Sequence, residues 1–146
     1  MQSIFYITLA ILTGVIISVY LPMNSTVARH FGSPITANVT FFLVALLTAI
    51  VIFVLFGDLK TIGNLNQVPP YFFLTGVFSA LMVLGTTFLI PKLGARRFFI
   101  MLIAGQVVMA MVVSHFGILE SPNDPITLRK LSGALLLVLG AIVSLA

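Results

Sequence analysis

Long apolar runs, broken by short polar clusters, set the pattern of this chain. Five such runs are each long enough for a helix that crosses about 30 Å of hydrocarbon. The expected helices cover roughly residues 3–28, 34–56, 69–90, 96–116 and 125–145. Between the second and third lies a polar loop, Gly57 to Val68, with Asp58, Lys60, Asn64, Asn66 and Gln67. Pro69-Pro70 opens the third helix, and Pro91-Lys92-Leu93-Gly94 reads as a short basic turn before the fourth. Gly117 closes the fourth, and Asp124-Pro125 makes an N-cap and N1 pair for the fifth. Short connections imply antiparallel neighbours, so the expectation is a single all-α, five-helix membrane domain.

The most informative interruption runs from Tyr20 to Phe41. Pro22 lacks an N–H, frees the carbonyl of Ser18 and invites a kink. Asn24, Ser25, Thr26, Arg29 and His30 follow. Gly32-Ser33-Pro34 then reads as C′ glycine, N-cap serine and N1 proline, a stop and a start in three residues. Asn38 and Thr40 lie about one turn inside the next helix. Polar side chains in apolar helices are costly in lipid and should face protein or water, so the working site is expected here.

Composition narrows the class. The chain is 60% hydrophobic and 7% charged, with a mean hydropathy of +1.25. Lacking Cys, it offers no disulfide framework or thiol-metal site. Seven Lys plus Arg against three acids are spread between the apolar runs, which suits headgroup anchoring rather than nucleic-acid binding. The first run has no basic region before it and no cleavage site, and reads as a retained span. An odd number of spans puts the termini on opposite faces. Lys60, Arg129 and Lys130 then share one face, and Arg29, Lys92, Arg96 and Arg97 the other. The positive-inside rule acts on that difference. A chain this balanced either inserts both ways and pairs with its own inverted copy, or is fixed by a small bias such as Arg96-Arg97. A faint repeat, Leu12-Thr13-Gly14-Val15 against Leu74-Thr75-Gly76-Val77, points to an old duplication of the first helix pair.

Candidate roles follow from residue type and depth. Asn24 and Asn38 could hydrogen-bond a substrate, or bond each other and the carbonyl freed by Pro22. Thr40 and Arg29 lie beside them; Arg29 either attracts an anionic group or snorkels to the headgroups. Gln106, near the middle of the fourth helix, needs a partner where lipid offers none. In an inverted pair the Asn24/Asn38 vestibules would open on opposite faces, with two copies of Gln106 between them. Pro22, Gly32 and Pro34 are the expected kink and gate. His115 is a possible proton carrier, although a helix-end role is open to it. Gly133, Gly140 and Ser144 stack on one side of the fifth helix and read as a dimer-packing face. No acid lies inside any span, since Asp58, Glu120 and Asp124 sit in loops or caps. That disfavours proton-driven export of organic cations. Without a nucleophile beside a base, a carboxylate pair or a metal-ligand cluster, the chain reads as neither an enzyme nor a cofactor or metal protein.

Several of these stretches resemble the YdcZ-like family, the short five-helix branch of the drug/metabolite transporter superfamily. The likeness is carried by Asn24-Ser25-Thr26-Val27 with Gly32-Ser33-Pro34, by Val39-Thr40-Phe41, and by Pro91-Lys92-Leu93-Gly94-Ala95. It continues in Gly105-Gln106 with His115-Phe116-Gly117, and in Lys130 with Gly133 and Gly140. Ser114 stands where the family usually has Asp, and Ala45 where a glycine is common. The resemblance implies transport across a bacterial inner membrane by ten helices, built from two five-helix halves of inverted orientation. The partner half would be a second copy or a paralogue. The resemblance implies no particular substrate. The competing expectation is a non-transporting membrane subunit that packs on another membrane protein.

Overall fold

A computed structural model describes residues 2–145. Its five α-helices are α1 (Gln2–Phe31), α2 (Pro34–Phe56), α3 (Leu74–Leu93), α4 (Ala95–Phe116) and α5 (Leu128–Leu145). All five are long and apolar enough to cross a membrane, and no strand occurs among the described residues. In hydrocarbon every backbone polar group must be satisfied within the chain, and a helix does this by itself. The hydroxyls inside these helices follow the same logic. Thr8, Thr13, Ser18 and Thr48 each donate to the carbonyl four residues earlier, at 2.9–3.0 Å. Such back-bonding lets a hydroxyl sit on an exposed apolar face without an orphan donor.

The α1–α2 corner is built as its three residues dictate. Gly32 holds φ at +70°, the left-handed region open to glycine. Its N–H reaches the Arg29 carbonyl at 3.3 Å, while the Ser33 N–H reaches that of Ala28 at 3.1 Å. This pair of bonds is the Schellman arrangement. The Ser33 hydroxyl accepts the Thr36 N–H at 3.3 Å, and Pro34 opens α2. Arg29 and His30 occupy the last turn of α1, where cations offset the negative helix end.

Three local expectations need correction. Pro91 does not begin a turn: α3 continues through Pro91 and Lys92 to Leu93, and only Gly94, at φ +78°, leaves the helix. Asp124 does not cap α5. Its N–H is committed to the Ser114 carbonyl at 2.8 Å and its carboxylate pairs with Lys130. Thr127 takes the capping role, its hydroxyl accepting the Lys130 N–H at 3.4 Å, so α5 starts at Leu128. Finally, Pro70–Phe73 forms a 3-10 turn ahead of α3, as does Leu59–Gln67 in the polar loop, the latter capped by Asp58 at the Lys60 N–H (2.9 Å).

The helices gather into two compact units, one ending at Lys92 and the other starting at Leu93. In the first, α1 packs on α2 and shares a polar seam with α3. Burial is confined to the half of this unit that ends at the Gly32 corner. There α1 contributes Leu21, Asn24, Ser25 and Ala28, α3 contributes Val83, Thr86, Thr87 and Ile90, and α2 contributes Ala37. Both four-residue sets have the i, i+3, i+4, i+7 spacing of one helical face. The first half of α1 and the second half of α2 expose apolar side chains almost throughout. In the second unit α4 packs on α5. The intervening loop is held by the Asp124 contacts and by the Ile126 N–H, which donates to His115 Nδ1 at 3.1 Å.

Candidate functional site

Thr87 is the node of the polar seam. It is 1% exposed and receives contacts from two residues of α1. Its hydroxyl accepts from Asn24 Nδ2 at 2.8 Å and donates to the Val83 carbonyl at 2.7 Å. Its own carbonyl lies four residues before Pro91, which has no N–H to give it. The Ser25 hydroxyl donates to that carbonyl instead, at 3.4 Å. A proline therefore does free a carbonyl that a side chain of a neighbouring helix takes up, but the proline is Pro91. Pro22 sits inside an unbroken α1, and neither Asn24 nor Asn38 bonds the Ser18 carbonyl. The two asparagines do not bond each other either. Asn38 Nδ2 reaches α3 separately, at the Ala80 carbonyl (3.2 Å).

Asn38 leaves a second atom unsatisfied. Its Oδ1 is buried and has no hydrogen-bond partner. A buried acceptor without a donor is costly, and elsewhere in the seam the polar side chains have found partners. Two open cavities of similar size lie in the same unit. One, of about 410 Å³, is lined by Tyr20, Phe41, Phe42, Phe78, Ser79 and Met82 with Val83. The other, of about 440 Å³, runs along α1 and α2 past Met23, Asn24, Val27 and Thr40. They share Tyr20 and Phe41, whose rings stack at 5.8 Å. Tyr20 is thus part of the wall of both cavities. Thr40 borders the second cavity, although its proton is bound to the Ala37 and Thr36 carbonyls at 3.0 and 3.2 Å.

The remaining predicted residues are scattered. Arg29 is exposed at the end of α1 and donates to Thr26 Oγ1 at 3.1 Å. Gln106 belongs to the second unit, is exposed on α4, and has no hydrogen-bond partner among the described residues. His115 holds the α4–α5 loop through Nδ1. Gly140 and Ser144 border a groove of about 210 Å³ against Ile100 and Ile103 of α4, within one chain, and Gly133 does not reach it. No group of three or more His, Asp or Glu able to hold a metal occurs among the described residues.

The residues missed from the sequence are Thr86 and Thr87, with the Phe41, Phe42 and Phe78 wall. A threonine pair flanked by Val83 and Ile90 at helical spacing was the available signal. Among known families, the model described as "Putative inner membrane exporter, YdcZ" matches residues 5–143. No curated protein and no solved structure matches the chain.

Proposed function

The chain belongs to the YdcZ family of multi-pass inner-membrane exporters, and on that premise we propose that it transports small neutral, zwitterionic or weakly anionic organic metabolites by alternating access. The observation that carries this reading is Asn38 Oδ1, a buried acceptor without a donor, which lines neither cavity itself but lies about one turn before Phe41, whose ring borders both. A substrate N–H or O–H supplies the missing partner. Aromatic walls and a few fixed polar groups are the usual lining of a small-molecule site. The absence of an acid from every span argues against a cationic substrate.

The open side of the first unit supports assembly as half of a ten-helix, antiparallel pair, either of two copies inserted both ways or with a paralogue. In that assembly Gln106 gains the partner it lacks in a single chain. The Gly32-Ser33-Pro34 corner and Pro22 are where α1 and α2 reorient as one side closes and the other opens. The second reading, a non-transporting subunit, is favoured by Asn24, whose amide is already committed to Thr87.

A thermal-shift screen of hydrogen-bond-donating metabolites on the purified protein, followed by uptake of the hits into liposomes, decides between the two. We expect at least one stabilising compound to be transported, and Asn38→Leu to remove both effects. A stabilising compound that enters liposomes neither with this chain alone nor with this chain and a paralogous half refutes the transporter reading.

A further inference from the structure

At the end of the first unit, beyond the Thr87 seam, lies a third open cavity of about 280 Å³. Its lining includes Ser25, Arg29, Gly32, Pro34, Phe88 and Lys92, so the end of α1, the start of α2 and the end of α3 all contribute. Two of these residues are cations, and no carboxylate lines the cavity. Asp58, the one acid of this unit, lies past the far end of α2, about 33 Å away along a 23-residue helix.

Helix ends alone do not account for the charge. The negative ends of α1 and α3 and the positive end of α2 amount together to about −0.5 of a charge, so two cations leave about +1.5 uncompensated. Donors remain open as well. Arg29 commits one N–H to Thr26, whose hydroxyl is in turn bonded to the Pro22 carbonyl at 3.2 Å. The rest of its planar fork is free for a carboxylate or phosphate. Lys92 holds its ammonium 4.0 Å from the centre of the Phe88 ring. That contact fixes the position of the charge without using an acceptor.

We propose that this cavity is an anion site, in which Arg29 and Lys92 together take one phosphate or carboxylate group. The group arrives either on a small soluble anion or as a phospholipid headgroup. The inference deepens the transport reading, since Arg29 and Lys92 would select the anionic members of the substrate class. It is tested by binding alone, so the two can fail separately.

The test uses the purified full chain in an uncharged detergent. Inorganic phosphate is titrated against sodium chloride of equal ionic strength, and phosphatidylglycerol against phosphatidylcholine at equal mole fraction, with Tm as the readout. We expect Tm to rise and saturate with phosphate if the site takes soluble anions, and with phosphatidylglycerol if it takes headgroups. Arg29→Gln and Lys92→Gln should each raise the half-saturating concentration by about tenfold. Arg29→Lys should recover most of the response, and Lys60→Gln, at the other end of the unit, should leave it intact. A wild-type protein that responds saturably to neither probe overturns the proposal, as does a response unchanged in both Gln variants. The wild-type titration decides even where a variant does not fold. Saturable binding without transport refutes the transporter and leaves the site; transport without saturable binding does the reverse.

Discussion

Thr87→Val removes one oxygen from the centre of the first unit and leaves its volume nearly unchanged. Two hydrogen bonds disappear, and they are unequal. The bond to the Val83 carbonyl is supplementary, because that oxygen keeps the backbone N–H of its own helix. The bond from Asn24 crosses between helices and has no substitute, since Asn24 is only 6% exposed. Side-chain hydrogen bonds between membrane helices average about 0.6 kcal/mol and reach about 1.7, and an amide left buried and unpaired adds to the loss. We therefore expect Thr87→Val to destabilise the unit by about 1.5 kcal/mol, roughly tenfold in the unfolding equilibrium. Asn24→Leu in the same background should restore part of that, because it removes the orphaned donor. The assay is a double-mutant cycle of reversible unfolding in mixed micelles, with Thr87→Ser as the control that keeps the oxygen. A coupling energy under about 0.3 kcal/mol, the usual scatter of independent sites, refutes the idea that this bond holds α1 to α3.

Two further outcomes follow from the same geometry. Ser25→Ala should cost about 0.5–1 kcal/mol in the wild type and almost nothing in a Pro91→Ala background, where residue 91 regains the N–H that satisfies the Thr87 carbonyl; equal costs in both backgrounds would show that the serine does not serve that carbonyl. His115→Ala should speed hydrogen exchange at the Ile126 amide by about threefold to tenfold, and His115→Asn, which offers an acceptor near the same place, should speed it less; unchanged exchange in the alanine variant would show that the ring does not hold the loop.

How much of this was readable beforehand depended on how local the cause was. The five helices were legible because hydrocarbon leaves the backbone few options, and Gly32-Ser33-Pro34 because each residue carries its own conformational preference. Pro91 was misread for a non-local reason. Its cost falls on the Thr87 carbonyl, which Ser25 relieves from a helix 62 residues away in sequence. Asp124-Pro125 was misread likewise, because Ser114 and Lys130 compete for the aspartate. The polar cluster around Asn24 was legible as a run of polar residues in an apolar helix, and two of its members, Asn24 and Ser25, are buried against α3. Its partner Thr87 went unnoticed, since a threonine in an apolar helix ordinarily bonds its own backbone, as Thr8, Thr13 and Thr48 do.

The bonds that join α1 to α3 set how readily those helices part. In lipid, separating two apolar faces exposes them to a solvent as apolar as themselves, so the polar contacts carry much of the resistance. From α1 these are the two that end on Thr87. At the average membrane value they amount to about 1.2 kcal/mol, an equilibrium factor of only about eight. Thermal motion alone then overcomes the polar part of the seam in about one molecule in nine. A ligand that binds the parted form about tenfold more tightly than the joined one is enough to bring that balance to about one to one.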